Sequence, residues 1–270
     1  MRRREFIASV AALGAWSASV RAQQPQRLRK LAIIMAAGKT PEYVAAVAAL
    51  EQALGSLGWK NGENLQIDER WSAGSEDGAR SAAREIVASN PDIILGQSAA
   101  VIEALQSATR TTPIVFLHVA DPAVYGFVSN LARPEGNLTG ITNIVPSIGA
   151  KWLQLLKEIA PAVTRPTMLV NPDTQPDRGA IFLTPFQGAA RSLGRDRLPA
   201  SFFGRESVEA GLLMSYGTSI ADMFRQVAKP ADLPVLQSTK FEFVINLQTA
   251  RSLQINVPPT LLARAEGVIE

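Results

Sequence analysis

"LAIIMAAGKTPEYVAAVAALEQALGSLGWKNGENLQIDERW", residues 31–71, contains one complete structural unit. Leu31 to Ala36 is an apolar run of the length of a buried strand. Thr40 then offers a side-chain oxygen as N-cap, Pro41 suits the first helical position and Glu42 the first turn, so a helix is predicted from Pro41 to Leu57. Gly58 and Gly62 close that helix and turn the chain. Leu65, Ile67 and Glu69 alternate against their neighbours, which predicts a second strand from Leu65 to Trp71.

The same rhythm continues outward. Ala79 to Ala88 reads as a helix, Asp92 to Gly96 as a strand, Ala99 to Thr109 as a helix and Pro113 to Val119 as a strand. Such alternation implies an α/β fold with a parallel sheet covered on both faces. A second unit begins near Gly149, with an amphipathic stretch from Lys151 to Ile159, a short strand from Thr167 to Val170 and a helix from Thr184 to Leu193. From Gly194 to Ala210 no further strand–helix unit is legible, and the next strand candidates are Leu212 to Tyr216 and Phe241 to Asn246. The second half is therefore thinner than the first. No internal repeat, low-complexity block or heptad pattern is present.

With 47% hydrophobic and 19% charged residues in 270, the chain can bury a sizeable core. Its formal charge of +3 comes from the first residues, because Arg2, Arg3, Arg4 and Arg21 stand against Glu5, and the remainder carries 23 basic and 23 acidic side chains. Scattered charge of that kind argues against a nucleic-acid partner. The opening "MRRREFIASVAALGAWSASVRAQQ" has a basic start, an apolar middle from Ile7 to Val20 and small residues at Val20 and Ala22. It reads as an export signal cut after about Ala22. Its Arg3-Arg4-Glu5-Phe6-Ile7 resembles a twin-arginine motif, and an ordinary secretory signal is the alternative. The apolar stretch is too short to span a bilayer, so the protein is not expected to be membrane-embedded. With no cysteine, neither a disulfide nor a lipid anchor on cysteine can form, and a periplasmic or extracellular location is expected.

Two motifs suggest chemistry. Gly38-Lys39-Thr40 follows a strand and precedes a helix, but a phosphate loop needs a glycine where Ile33 stands, so the stretch reads as a capped helix bordering a cleft. "LGQSAAV" places Ser98 between a strand and a helix like a hydrolase nucleophile, yet the motif's last glycine is Ala100 and the one histidine, His118, lies too close downstream for a triad. A serine at a helix start can instead bind a carboxylate without any base. Neither an enzyme nor a metal site is expected, since one histidine without cysteine offers no ligand cluster, and no cofactor is implied. His118 reads as a packed strand residue behind the lip formed by Asp121 and Pro122.

Together, "LGWKNGENLQIDERWSAG", "VFLHVADPAVYGFVSNLARPEGNLTGIT", "KWLQLLKEIAP", "NPDTQP", "GLLMSYG" and "KFEFVINLQTARSLQINVPPTLLARAEGVIE" resemble the ABC transporter substrate-binding family that includes tryptophan and tyrosine uptake proteins. The resemblance implies a periplasmic-binding-protein-like fold of two lobes with parallel sheets and a hinge. It also implies a small-molecule ligand, an amino acid or similar acid, delivered to an ABC permease and its ATPase. It places residues 23–143 in the first lobe, completed by about 212–236, and 144–211 with 237–270 in the second, after the leader 1–22. The candidate ligand contacts are Met35 to Gly38, Gln97, Ser98, Ala99, Asp121 and Pro122, then Thr139 and Gly140 at a crossing, Asn171 to Asp173, and Ser215 with Tyr216. Ser98 and Thr139 would donate to a carboxylate or other polar head, Asp121 would accept from an amine or fix its loop, and Tyr216 would offer a stacking face. Two departures from the family pattern, at "RDRLPASFFGRESVEA" and after "ADMFRQVA", imply a shortened second lobe, and the alternative they leave is a reduced or decayed relative without transport function that acts as a protein-interaction module.

Overall fold

The computed structural model describes residues 28–134, 136–142, 148–161, 201–202, 205–228 and 235–270. The leader, the strand expected at Thr167 to Val170, the helix expected at Thr184 to Leu193, and Asn171 to Asp173 lie outside them. The fold is α/β, as the alternation implies.

The opening unit forms as read, with β1 (Arg29–Met35), α1 (Pro41–Ser56) and β2 (Leu65–Trp71). Then come α2 (Glu76–Ala88), β3 (Ile93–Gln97), α3 (Ala99–Ala108) and β4 (Ile114–Val119). Helix α2 begins three residues before the expected Ala79, because the Ser75 hydroxyl caps it by accepting from the Gly78 amide at 2.9 Å and two acids occupy its first turn. A strand that alternation did not disclose, β5 (Leu138–Thr142), follows, and it contains Thr139 and Gly140, which the sequence placed at a crossing. The strand forms because Gly140 has no side chain, since a Cβ there would meet the Phe116 carbonyl at 2.2 Å.

The chain continues through α4 (Ile148–Ile159), β6 (Ser201–Phe202), α5 (Arg205–Glu209), β7 (Met214–Thr218), α6 (Ile220–Val227), β8 (Leu236–Gln237), β9 (Phe241–Asn246), α7 (Leu247–Ser252), α8 (Pro259–Leu262) and β10 (Gly267–Ile269). The 194–210 stretch therefore does hold a strand and a helix. At two and five residues they are too short for a period to repeat in the sequence.

Two sheets result. The first has the order β2-β1-β3-β4-β5-β8, parallel throughout. The chain leaves β1 toward β2 on one side and returns to β3 on the other, so its helices cover opposite faces. On one face α2 and α3 pack over Ile34, Ile94 and Phe116; on the other α1 and α6 pack over Ile33, Met35 and Leu117. Of the 212–236 stretch assigned to the first lobe, Met214–Thr218 stands in the second sheet, whereas α6 and β8 pack on the first.

The second sheet has the order β10-β9-β7-β6 and is mixed: β7 and β9 run antiparallel, and each outer strand is parallel to its neighbour. Its core joins Leu155 and Ile159 of α4 to Met214, Phe243, Ile245, Ala250 and Leu261. Where the chain leaves each sheet, the ladder runs one step further: Ser238 N–H donates to the Thr142 carbonyl at 2.8 Å beyond β5 and β8, and Ser219 N–H to the Lys240 carbonyl at 3.3 Å beyond β7 and β9.

Candidate functional site

In an open parallel sheet, a crevice forms beyond the carboxyl ends of the strands where neighbouring connections leave in opposite directions. Here that point lies between β1 and β3, since Met35 pairs with Gln97 and their helices depart to opposite faces. The loop 36–40 and Ser98 border it, and the first turns of α1 and α3 start there. Amides in those turns have no partner within their helices and favour an anionic group.

Each helix start is built locally. Thr40 has extended backbone and its hydroxyl accepts from the Tyr43 amide at 3.5 Å, with Pro41 following. Ser98 accepts from the Val101 amide at 3.5 Å, so part of its hydrogen-bonding capacity serves the helix. Its backbone is unusual, at φ 89°, in the left-handed region that favours glycine. The Ser98 amide donates to the Leu117 carbonyl at 3.0 Å, holding the turn against β4. Ala99, the first residue of α3, is buried.

The remaining sequence candidates fall in distinct places. Met35 is wholly buried in the core, and only its carbonyl reaches the edge, accepting from the Ser72 amide at 2.9 Å. Gly38 is exposed on the loop and its carbonyl accepts from Thr40 N–H at 2.8 Å. Gln97 is buried and its amide is engaged: Oε1 accepts from Ala36 N–H at 2.9 Å and Nε2 lies 3.1 Å from His118 Nδ1. The Asp121 carboxylate accepts from the Ala123 and Val124 amides at 3.1 and 3.2 Å, so it fixes its own turn. Pro122 is buried and its carbonyl closes that turn by accepting from Phe127 N–H at 2.8 Å. Thr139 and Gly140 lie inside β5, short of its carboxyl end, and Gly140 packs against the Phe116 ring.

On the second sheet Ser215 is buried within β7, whose neighbour Tyr216 keeps partial exposure. The Tyr216 ring is stacked on Phe241 with centroids 5.4 Å apart and meets Phe243 edge-on, so one of its faces is already occupied by the protein. Its carbonyl accepts from Trp152 Nε1 at 2.7 Å. Trp152 lies one turn into α4, and Phe241 begins β9 just after the chain has passed from β8 of the first sheet to the second, so this aromatic group stands near that junction.

Further features of these edges do not follow from sequence, although it reads His118 as a packed strand residue. His118 sits on a bulge, where the β4–β5 register shifts between Leu117 and Val119, and its backbone is left-handed at φ 58°. Burial pushes its imidazole down to about 4 from the usual 6.5, so it is neutral at pH 7. The Lys39 ammonium lies 5.6 Å from the Trp71 ring centroid, a cation–π contact at the rim. Ser238, one residue past β8, is buried and its hydroxyl has no hydrogen-bond partner among the described residues. The bulge and the orphan hydroxyl depend on strand register, which the sequence does not disclose.

The arrangement can hold a small solute with an anionic or polar head. Among the described residues, no helix is long and apolar enough to cross a membrane. The profile of the family described as ABC transporter substrate binding protein matches residues 31–183. A tyrosine-binding protein of Clostridioides difficile is 31% identical over 131 residues, 48% of this chain but 37% of that protein's length. Among solved structures, a conserved domain protein from Vibrio cholerae superposes with a TM-score of 0.80 at 24% identity, covering 90% of this chain and all of that one. A domain from Streptococcus pneumonia in complex with L-Trp superposes with a TM-score of 0.75 at 21% identity, covering 89% and 99%.

Proposed function

The chain belongs to the ABC transporter substrate-binding protein family, and we propose that it is the exported solute receptor of an importer, taking an amino acid with an aromatic side chain or a similar small organic acid. Such a protein binds its substrate without transforming it. The observation that carries the reading is the convergence of two helix starts, at Thr40 and Ser98, on the crevice between β1 and β3, which suits a carboxylate. The rim of Trp152 and Tyr216 at the junction supplies an apolar wall for the rest of the solute. The tyrosine and tryptophan named for two relatives point to the same chemistry.

In this reading the sheets belong to two lobes, the second of them shortened, that close on the solute by turning about the segments that leave β5, β7 and β8 beyond Thr142, Thr218 and Gln237. The closed form is what a membrane permease with its ATPase would receive, and the leader directs the protein to the periplasm. Ser98 and the amides following Thr40 and Ser98 hold the acid, while Asp121 and Pro122 shape the lip.

The test is a thermal melt of the purified protein with a panel of amino acids and aromatic or branched-chain acids. At about 100 times its dissociation constant a ligand adds about 2.7 kcal/mol, a rise of roughly 5–10 °C for a chain of this size. A cooperative transition that no compound raises would defeat the receptor reading.

A further inference from the structure

We infer that Gln97 and His118 are positioning residues, which pair across the ends of β3 and β4 and thereby hold the loops after β1, β3 and β4 at the spacing a bound solute needs. The inference rests on the crevice between β1 and β3 being the solute site.

Two non-glycine residues with left-handed backbone, Ser98 and His118, stand at the ends of adjacent strands. Backbones of this kind persist only where their surroundings over-determine them, and they cluster at ligand sites. The surroundings here are specific. Ser98 N–H donates to the carbonyl of Leu117, the residue before His118, and Gln97, the residue before Ser98, reaches both outer loops with one amide. Its Oε1 accepts from Ala36 N–H at the start of the loop leading to Thr40, while its Nε2 lies against the imidazole on the β4 bulge. Gln97 thus touches the ends of three strands without facing the solute itself.

The contact also fixes the histidine's proton. With Oε1 committed to the Ala36 amide, the other end of Gln97 is an NH2 donor, so Nδ1 of His118 must be bare and the ring neutral, with its proton on Nε2. Neither β3 nor β5 carries a charged residue. The charged groups on other elements around β4 are Glu103 on α3, Asp222 and Arg225 on α6, and Asp121 after the strand; none contributes to the lowered proton affinity, whose cause is burial. A proton arriving at Nδ1 would both charge a half-buried ring and remove the acceptor that Gln97 uses.

The chain's single histidine makes its imidazole nitrogen signals unambiguous in an NMR titration. The expected result is the Nε2–H form down to the region of pH 4, with affinity for L-tyrosine or L-tryptophan constant from neutral pH to about 5.5, about twofold weaker at about pH 4 and approaching tenfold weaker at about pH 3. His118→Asn tolerates a positive φ and offers Gln97 an acceptor that does not titrate, so it should bind within about twofold of the parent with a flat pH profile. His118→Ala and Gln97→Leu should weaken binding about tenfold at every pH. Equal affinity for parent and His118→Ala, or a proton found on Nδ1, overturns the positioning role while leaving the receptor reading intact. If the parent binds neither amino acid at any pH, the crevice reading falls and takes this role with it. If His118→Ala does not fold, the pH profile of His118→Asn decides: a profile as steep as the parent's overturns the role.

Discussion

The two sheets solve the same problem with different means. In the first, six parallel strands end in a row, and the polar groups at that edge come from the loops just beyond: Thr40, Ser72, Ser98 and Asp121. In the second, β7 and β9 run antiparallel with short outer strands, and what faces the junction comes from ring side chains on the strands themselves, Tyr216 and Phe241, braced by Trp152. A parallel sheet places every strand's carboxyl end at one edge, so it can gather helix starts there; a mixed sheet cannot. In the proposed receptor, the regular sheet would recognise the charged end of the solute and the irregular one its apolar body.

Four substitutions test whether the sheets are as separate as that contrast makes them. Phe224→Ala removes a fully buried ring that fastens α6 to the first sheet, and should cost about 4 kcal/mol, seen as a fall of roughly 10 °C in Tm. If the second sheet's ellipticity is lost in the same transition, the two melt as one body and the contrast is only geometric. Gly140→Ala forces a methyl against the Phe116 carbonyl and ring, so the first sheet should lose about 3 kcal/mol by urea denaturation; an unchanged midpoint would mean that β5 can slide away from β4. Trp152→Phe keeps the apolar surface and removes the N–H that serves the Tyr216 carbonyl, at about 1 kcal/mol. That loss should appear as a lower urea midpoint for the second sheet, and an unchanged midpoint would mean that the Tyr216 carbonyl finds another donor. Ser238→Ala, the smallest, should raise stability by about 1 kcal/mol, because the hydroxyl is enclosed without a partner; a decrease of that size would mean the hydroxyl finds one in solution.

How much of this was legible depended on length. Leu31 to Val119 gave its strands and helices within a few residues because each spans at least one period and carries its own caps, as Thr40-Pro41 does. The strands β6 and β8, at two residues each, and helix α5, at five, leave no pattern, and β5 was hidden by Gly140, which reads as a turn although it is there to pass beneath Phe116. The strand-end loops could be named as a rim because alternation alone dictates where they fall. What their side chains do could not: Gln97 is turned inward to bridge Ala36 and His118, Asp121 is spent on its own turn, and one face of Tyr216 is covered by Phe241. These depend on which residues stand opposite one another across strands, and register emerges only when the sheet is assembled.

Helix α6 also sets the order in which the chain can fold. The face of the first sheet that carries Ile33, Met35, Leu117 and Ile141 is finished only when Ile220, Met223 and Phe224 arrive from beyond the second sheet's first strands. An emerging chain ordinarily completes its amino-terminal domain first; this one keeps an apolar flank open until nearly the whole sequence has been made. A nascent chain halted before residue 220 would thus be a substrate for chaperones and prone to aggregate, and the contacts that close the flank, being far apart in sequence, are of the kind that form slowly.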